Sequence, residues 1–210
     1  MILPLQYNYR ISDATTNPLT ATLNTGANIV KAVGGASGCP GTAAPGGQGT
    51  FYAGAIYSAQ SYLVSAARPN VQNVMILLSD GNAEASASQM AGTATKYPAT
   101  NQCAQAVAAA NAAKTAVPPT LVYSVSYGSE NSGCSTDSSY TPCMTMAGIA
   151  SSPSTEYFFS VPNNGKSGGT VCNSANDGGF TPRPVTSLNA VFTAIVGDLT
   201  KVRLIPNGTT

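Results

Sequence analysis

The stretch NVMILLSDGNAE, residues 73–84, constrains the fold more than any other part of the chain. Its run of consecutive apolar residues lacks the alternation of a half-buried strand and is too short for an ordinary helix. Such a strand is covered on both faces, as a central strand of a parallel sheet is. Its surroundings agree. A helix fits residues 52–67, where Ile56, Ala59, Leu63 and Ala66 recur at helical steps before Pro69. An alanine-rich helix fits about residues 102–116 and is stopped by Pro118 and Pro119. Strands follow at 120–128 and 156–161, with a short helical segment, MTMAGIAS, between them. A last helix near 186–201 has Val185, Leu188, Phe192, Ile195, Leu199 and Val202 along one face. Residues 80–100 read as a polar loop with a short helical piece around Ser86–Met90. Helices alternating with strands over short connections imply right-handed βαβ units, hence an α/β fold with a mostly parallel sheet flanked by helices.

The first 47 residues differ in style. Leu3, Leu5, Tyr7, Tyr9 and Ile11 stand at period two, as in a strand. Asn17 and Pro18 then open a helix carrying Leu19, Leu23, Val30 and Val33. Residues 34–50 hold too many glycines and prolines for regular structure, and Cys39 within them suggests a loop tied to the body. The expected organisation is an N-terminal part over 1–47, the main α/β part over 48–203 and a tail over 204–210.

Composition narrows the function. At 210 residues and 43% hydrophobic, one ordinary core is expected. Lys+Arg 9 against Asp+Glu 8 gives no basic surface for nucleic acid or anionic lipid. The Ala, Gly, Ser, Thr and Asn richness suits an exported protein. Five cysteines, no CxxC pair and no histidine favour disulfides over a zinc site. Cys134 and Cys143 close a short loop and are the first expected pair; Cys39–Cys103 is the second, with Cys172 left over. The cysteines fall on the edge past the strand carboxyl ends, where open α/β sheets build ligand sites.

Lack of histidine excludes Ser-His-Asp and Cys-His catalysis. No GxGxxG or GxxxxGK[ST] motif is present for nucleotides. Asp80 stands at the end of strand 73–78, either as a cation ligand at the sheet's ligand edge or as the opening of an Asp-Gly turn. Two-carboxylate hydrolysis would have Asp80 and Glu84 to use. The residues after Met1 do not form a signal peptide, and no segment has about 18 consecutive apolar residues for a membrane span. An export signal is therefore expected to lie upstream.

NVMILLSDG resembles the fourth core strand of von Willebrand factor A (VWA) domains, which runs into Ser/Thr-Asp-Gly. GGQGTFYAGAIYSAQSYL is similar to that family's glycine-rich loop and following helix, LVYSVSYGS to its next strand, MAGIASSPSTEYFF to its short helix and sixth strand, and VTSLNAVFTAIVGDL to its last helix. The ordered likeness spans about residues 48–202. Within the family it is nearest to bacterial TadG-like proteins of tight-adherence (Tad) pilus assembly.

The resemblance implies a Rossmann-like fold and a non-enzymatic adhesion or assembly module of the bacterial cell envelope, periplasmic or extracellular, held by an N-terminal membrane anchor not in this chain. It implies a protein partner, a pilus or envelope component, bound by loops at the carboxyl edge of the sheet. It also implies a metal-ion-dependent adhesion site holding Mg²⁺ or Ca²⁺, with Thr50 and Asp80 as two ligands. The family's Asp-x-Ser-x-Ser loop is missing, and the chain begins at the family's third strand, lacking the first two core strands. Strand 73–78 is then expected to expose an apolar edge, as in a fragment, and a metal site of Thr50, Asp80 and water alone to be weak. The alternative is a metal-assisted hydrolase with Asp80 as a ligand, since one fold hosts many functions.

Overall fold

The computed structural model describes residues 8–9, 11, 22–34, 41, 49–90, 97–129, 134–162, 171–173 and 178–201. The chain divides into two units, Met1–Gln48 and Gly49–Thr210.

In the first unit, helix α1 spans only Asn28–Val33. The expected helix is shorter because residues 22–27 do something else. The Gly26 amide bonds Asn24 Oδ1 at 3.1 Å, a local turn that competes with helix. The Asn24 amide bonds Tyr9 O at 2.9 Å and the Ile11 amide bonds Thr22 O at 3.1 Å, an antiparallel pairing. Asn17 and Pro18, most of the strand expected over 2–11, and Cys39 lie outside the described residues.

The second unit is a small open α/β layer. Its order is α2 (Tyr52–Ser65), β1 (Asn73–Ser79), α3 (Gln102–Lys114), β2 (Thr120–Tyr127), α4 (Pro142–Ile149), α5 (Ser154–Tyr157), β3 (Phe158–Val161) and α6 (Leu188–Lys201). The strands pair in parallel in the order β1-β2-β3, with Met75 beside Val122 and Ser124 beside Phe158. Two boundaries shift from the sequence reading. Helix α4 begins at Pro142 because Thr141 caps it, its Oγ1 accepting from the Met144 amide at 3.0 Å. Residues 154–157 form the single turn α5, so β3 starts at Phe158. Ser86–Met90 is one turn, with the Gln89 and Met90 amides on Ser86 O.

Two cores sandwich the sheet. Met75, Val122 and Phe158 face α2, α3 and α4; Tyr123, Val125, Phe159 and Val161 face Val191 and Ile195 of α6. The first core is built from small residues. Ala106, Ala109, Ala110 and Ala113 of α3 are buried, and a Cβ on Gly148 of α4 would stand 2.9 Å from Val107. Interhelical distance follows side-chain size, so α3 and α4 approach closely.

Strand 73–79 is not central among the described strands. Its only ladder partner there is β2, and Ile76 and Leu78 are 42% and 44% exposed. Both residues lie on the same face of β1, opposite the buried Met75.

The disulfides correct the expected pairing. Cys103 joins Cys134 and Cys143 joins Cys172, with Cα atoms 6.5 and 5.6 Å apart, in place of Cys134–Cys143 and Cys39–Cys103. The short loop 134–143 instead turns on itself through the Cys134 amide on Tyr140 O, while α3 and β3 bring the other partners to its two ends. Links spanning 31 and 29 residues each stabilise by roughly 3–4 kcal/mol through loop-closure entropy. That is a large share for a core of alanines. Among the described residues no helix is long and apolar enough to cross a membrane.

Candidate functional site

The edge past the strand carboxyl ends gathers the residues singled out in the sequence. Asp80 leaves β1 half-buried, and Gly81 follows at φ +94°. A Cβ on Gly81 would lie 2.7 Å from Pro142 O, so the β1 exit is pressed against the first residue of α4. Only glycine satisfies both demands.

Thr50 reaches this corner from the other side. Its carbonyl accepts from the Glu84 amide at 3.2 Å. Two residues on, the buried Tyr52 hydroxyl accepts from the Gly81 amide at 3.0 Å and bonds Ser79 Oγ, gripping the residues on both sides of Asp80. Burial pushes the Tyr52 hydroxyl well above the ordinary tyrosine pKa, helped by the Asp80 carboxylate and opposed by the Ser79 bond. It stays a neutral hydrogen-bonding post at any physiological pH. Gly54 also has a local reason: a Cβ there would run into the Phe51 ring, which packs edge-on against Tyr97.

Glu84 is exposed but held. Its Oε2 accepts from Ser135 Oγ at 3.0 Å and Asn82 Nδ2 at 3.3 Å, while the Ser135 amide donates to Asn82 Oδ1 at 3.0 Å. Behind it, Gln102 clasps the loop, its Nε2 donating to Ala85 O at 2.7 Å and its Oε1 accepting from the Ala85 amide at 2.9 Å. Tyr52, Asn82, Gln102, Ser135 and Thr136 thus shape the edge, and none of them carries a local sequence signal. Each acts on a residue 17 or more positions away, Asn82 on Ser135 included.

No match is found to a protein-family model, a curated protein or a solved structure.

The donor set bears on the implied cation. Thr50, Asp80 and Ser79 offer the oxygens that Mg²⁺ or Ca²⁺ takes, but Ser79 Oγ is engaged by Tyr52. Two side chains fall short of the six or more oxygens a Ca²⁺ needs and leave Mg²⁺ mostly on water. Among the described residues these groups do not make a full cation site.

The opposite edge has an open groove of about 950 Å³ between the ends of α3 and α4. Its one cation is Lys114, whose Nζ donates to Gly148 O at 3.1 Å and Ala150 O at 2.8 Å. Burial lowers its pKa. Lysine closing the carbonyl end of a helix is a structural role, favoured by the helix dipole.

Proposed function

We propose that this chain is a non-enzymatic docking module of VWA type that binds a protein partner through the loops at the carboxyl edge of its sheet. The partner is a component of the bacterial cell envelope, in a Tad-like pilus-assembly or other surface protein acting in the periplasm or outside the cell. The observation that carries this reading is the shelf of Asn82, Glu84 and Ser135, which presents a carboxylate and polar groups on a backbone fixed by Gln102 and the Cys103–Cys134 disulfide. A rigid, solvent-facing shelf suits docking, because little order is lost when a partner settles on it. In this reading Asp80 and Thr50 supply two of the oxygen ligands of a divalent cation.

The test is site-specific photo-crosslinking in cells. A photoreactive residue at Ser135 should yield one discrete adduct with an envelope protein, and the same residue at Asn111 on the opposite edge should not. Adducts from position 111 alone, or from neither, overturn the proposal.

A further inference from the structure

Three segments distant in sequence meet at the candidate edge: 82–85 after β1, 101–104 at the start of α3, and 134–137 after β2. Loop 134–137 bonds to both of the others. Toward 82–85, Ser135 bonds Asn82 and Glu84, and Thr136 Oγ1 donates to Ala83 O at 3.0 Å. Toward α3, Thr136 O accepts from the Asn101 amide at 2.9 Å, Thr136 Oγ1 from the Gln102 amide at 3.2 Å and Asp137 Oδ2 from the Ala104 amide at 3.2 Å. Asn101 itself gives α3 no side-chain cap. The loop therefore caps α3 from outside, and α3 in turn holds Ala85 through Gln102.

One covalent bond fastens this arrangement, Cys103–Cys134, and it joins the capped helix to the capping loop. We propose that this disulfide is a redox switch for the candidate edge. A dithiol gives it two electrons and two protons: the S–S bond breaks, Cys103 and Cys134 become thiols, and the dithiol closes to its own disulfide. Loop 134–137 then keeps only exchangeable hydrogen bonds, each worth about 1 kcal/mol net. It leaves α3, the first turn of α3 frays, and the shelf of Asn82 and Glu84 loses both supports.

The second disulfide lacks this role. Cys172 sits against Ser126 Oγ, its amide bonded to Ser160 Oγ, at the ends of β2 and β3. The effect on partner docking rests on the function proposed above; the coupling of disulfide to loop does not.

Amide hydrogen exchange tests the coupling without a partner. In Cys103→Ser/Cys134→Ser, exchange at Ala85, Gln102, Ala104 and Ser135 should rise at least tenfold while Val122 and Val125 keep their rates. Cys143→Ser/Cys172→Ser should leave all four unchanged. Unchanged rates in the first variant, or an equal rise in both, overturn the switch. If the first variant does not fold, the wild-type protein is partly reduced with dithiothreitol and trapped with iodoacetamide. Alkylation first at 103 and 134 with the same exchange pattern is expected; alkylation first at 143 and 172, or no local rise, overturns it. Loss of the Ser135 crosslink with the coupling intact would count against the proposed function alone.

Discussion

Gly81 is where residue chemistry is least forgiving. Its φ of +94° is disfavoured for any side chain, and a Cβ would meet Pro142 O at 2.7 Å and Pro142 Cβ at 2.8 Å. Gly81→Ala adds backbone strain to a clash with backbone, so a loss of about 2–3 kcal/mol is expected in urea unfolding. Asp-Gly as a turn pair was legible in the sequence; its second reason, the nearness of α4, was not. The same holds for Tyr52. It reads as a helix-start residue, and only the fold brings its hydroxyl to the Gly81 amide, 29 positions on. Asp80 was singled out because a strand end leaves a local mark, and Thr50 through the resemblance alone. The residues that hold them in place leave none, because their partners are set by strand order.

At the scale of elements, α6 shows what periodicity gives and withholds. Ile195 is buried against Tyr123, Val125 and Phe159, as the repeat in the sequence indicates, and Val191, which that repeat did not include, is buried beside it. Phe192, from the same predicted face, is 39% exposed and Val196 is 57% exposed. The helix is rolled so that Asp198 meets Arg183, whose guanidinium also lies 5.4 Å over the Phe159 ring. A predicted apolar stripe is wider than the strip of sheet available to cover it. Ile195→Ala should therefore cost about 2–4 kcal/mol in chemical denaturation, and its neighbour Val196→Ala less than about 0.5 kcal/mol. Equal losses would mean that α6 sits in another rotation. The cysteines failed as a sequence argument for a related reason. Closeness in sequence favoured Cys134–Cys143, but the parallel crossovers bring α3 to one end of that loop and the chain after β3 to the other.

At the scale of the whole molecule, the described sheet leaves one side of β1 without a strand partner. β1 contains no proline and no charge, its seven residues run without a bulge beside β2, and Ile76 and Leu78 face outward. Such an edge invites other strands, and charge on it is the usual remedy. Leu78→Lys should reduce concentration-dependent association in static light scattering and leave the unfolding midpoint nearly unchanged. A large drop in that midpoint would show Leu78 to be part of the core after all. The α/β alternation and the parallel sheet were readable along the chain, since each strand and helix carries its own period. The place of β1 at the side of the described sheet was not readable from its composition, because continuous apolar residues describe a strand covered on both faces, whereas Met75 is buried on one face and Ile76 and Leu78 are left exposed on the other.

The cap of α3 has a consequence in time. The Gln102 amide is satisfied by Thr136 and the Ala104 amide by Asp137, 34 and 33 positions downstream. During synthesis the alanine helix is translated before the groups that complete its first turn. Until they are added, only its alanines argue for it. The helix is encoded in one place and finished in another, so any chain end, pause or cleavage between residues 115 and 133 leaves it begun but unsealed.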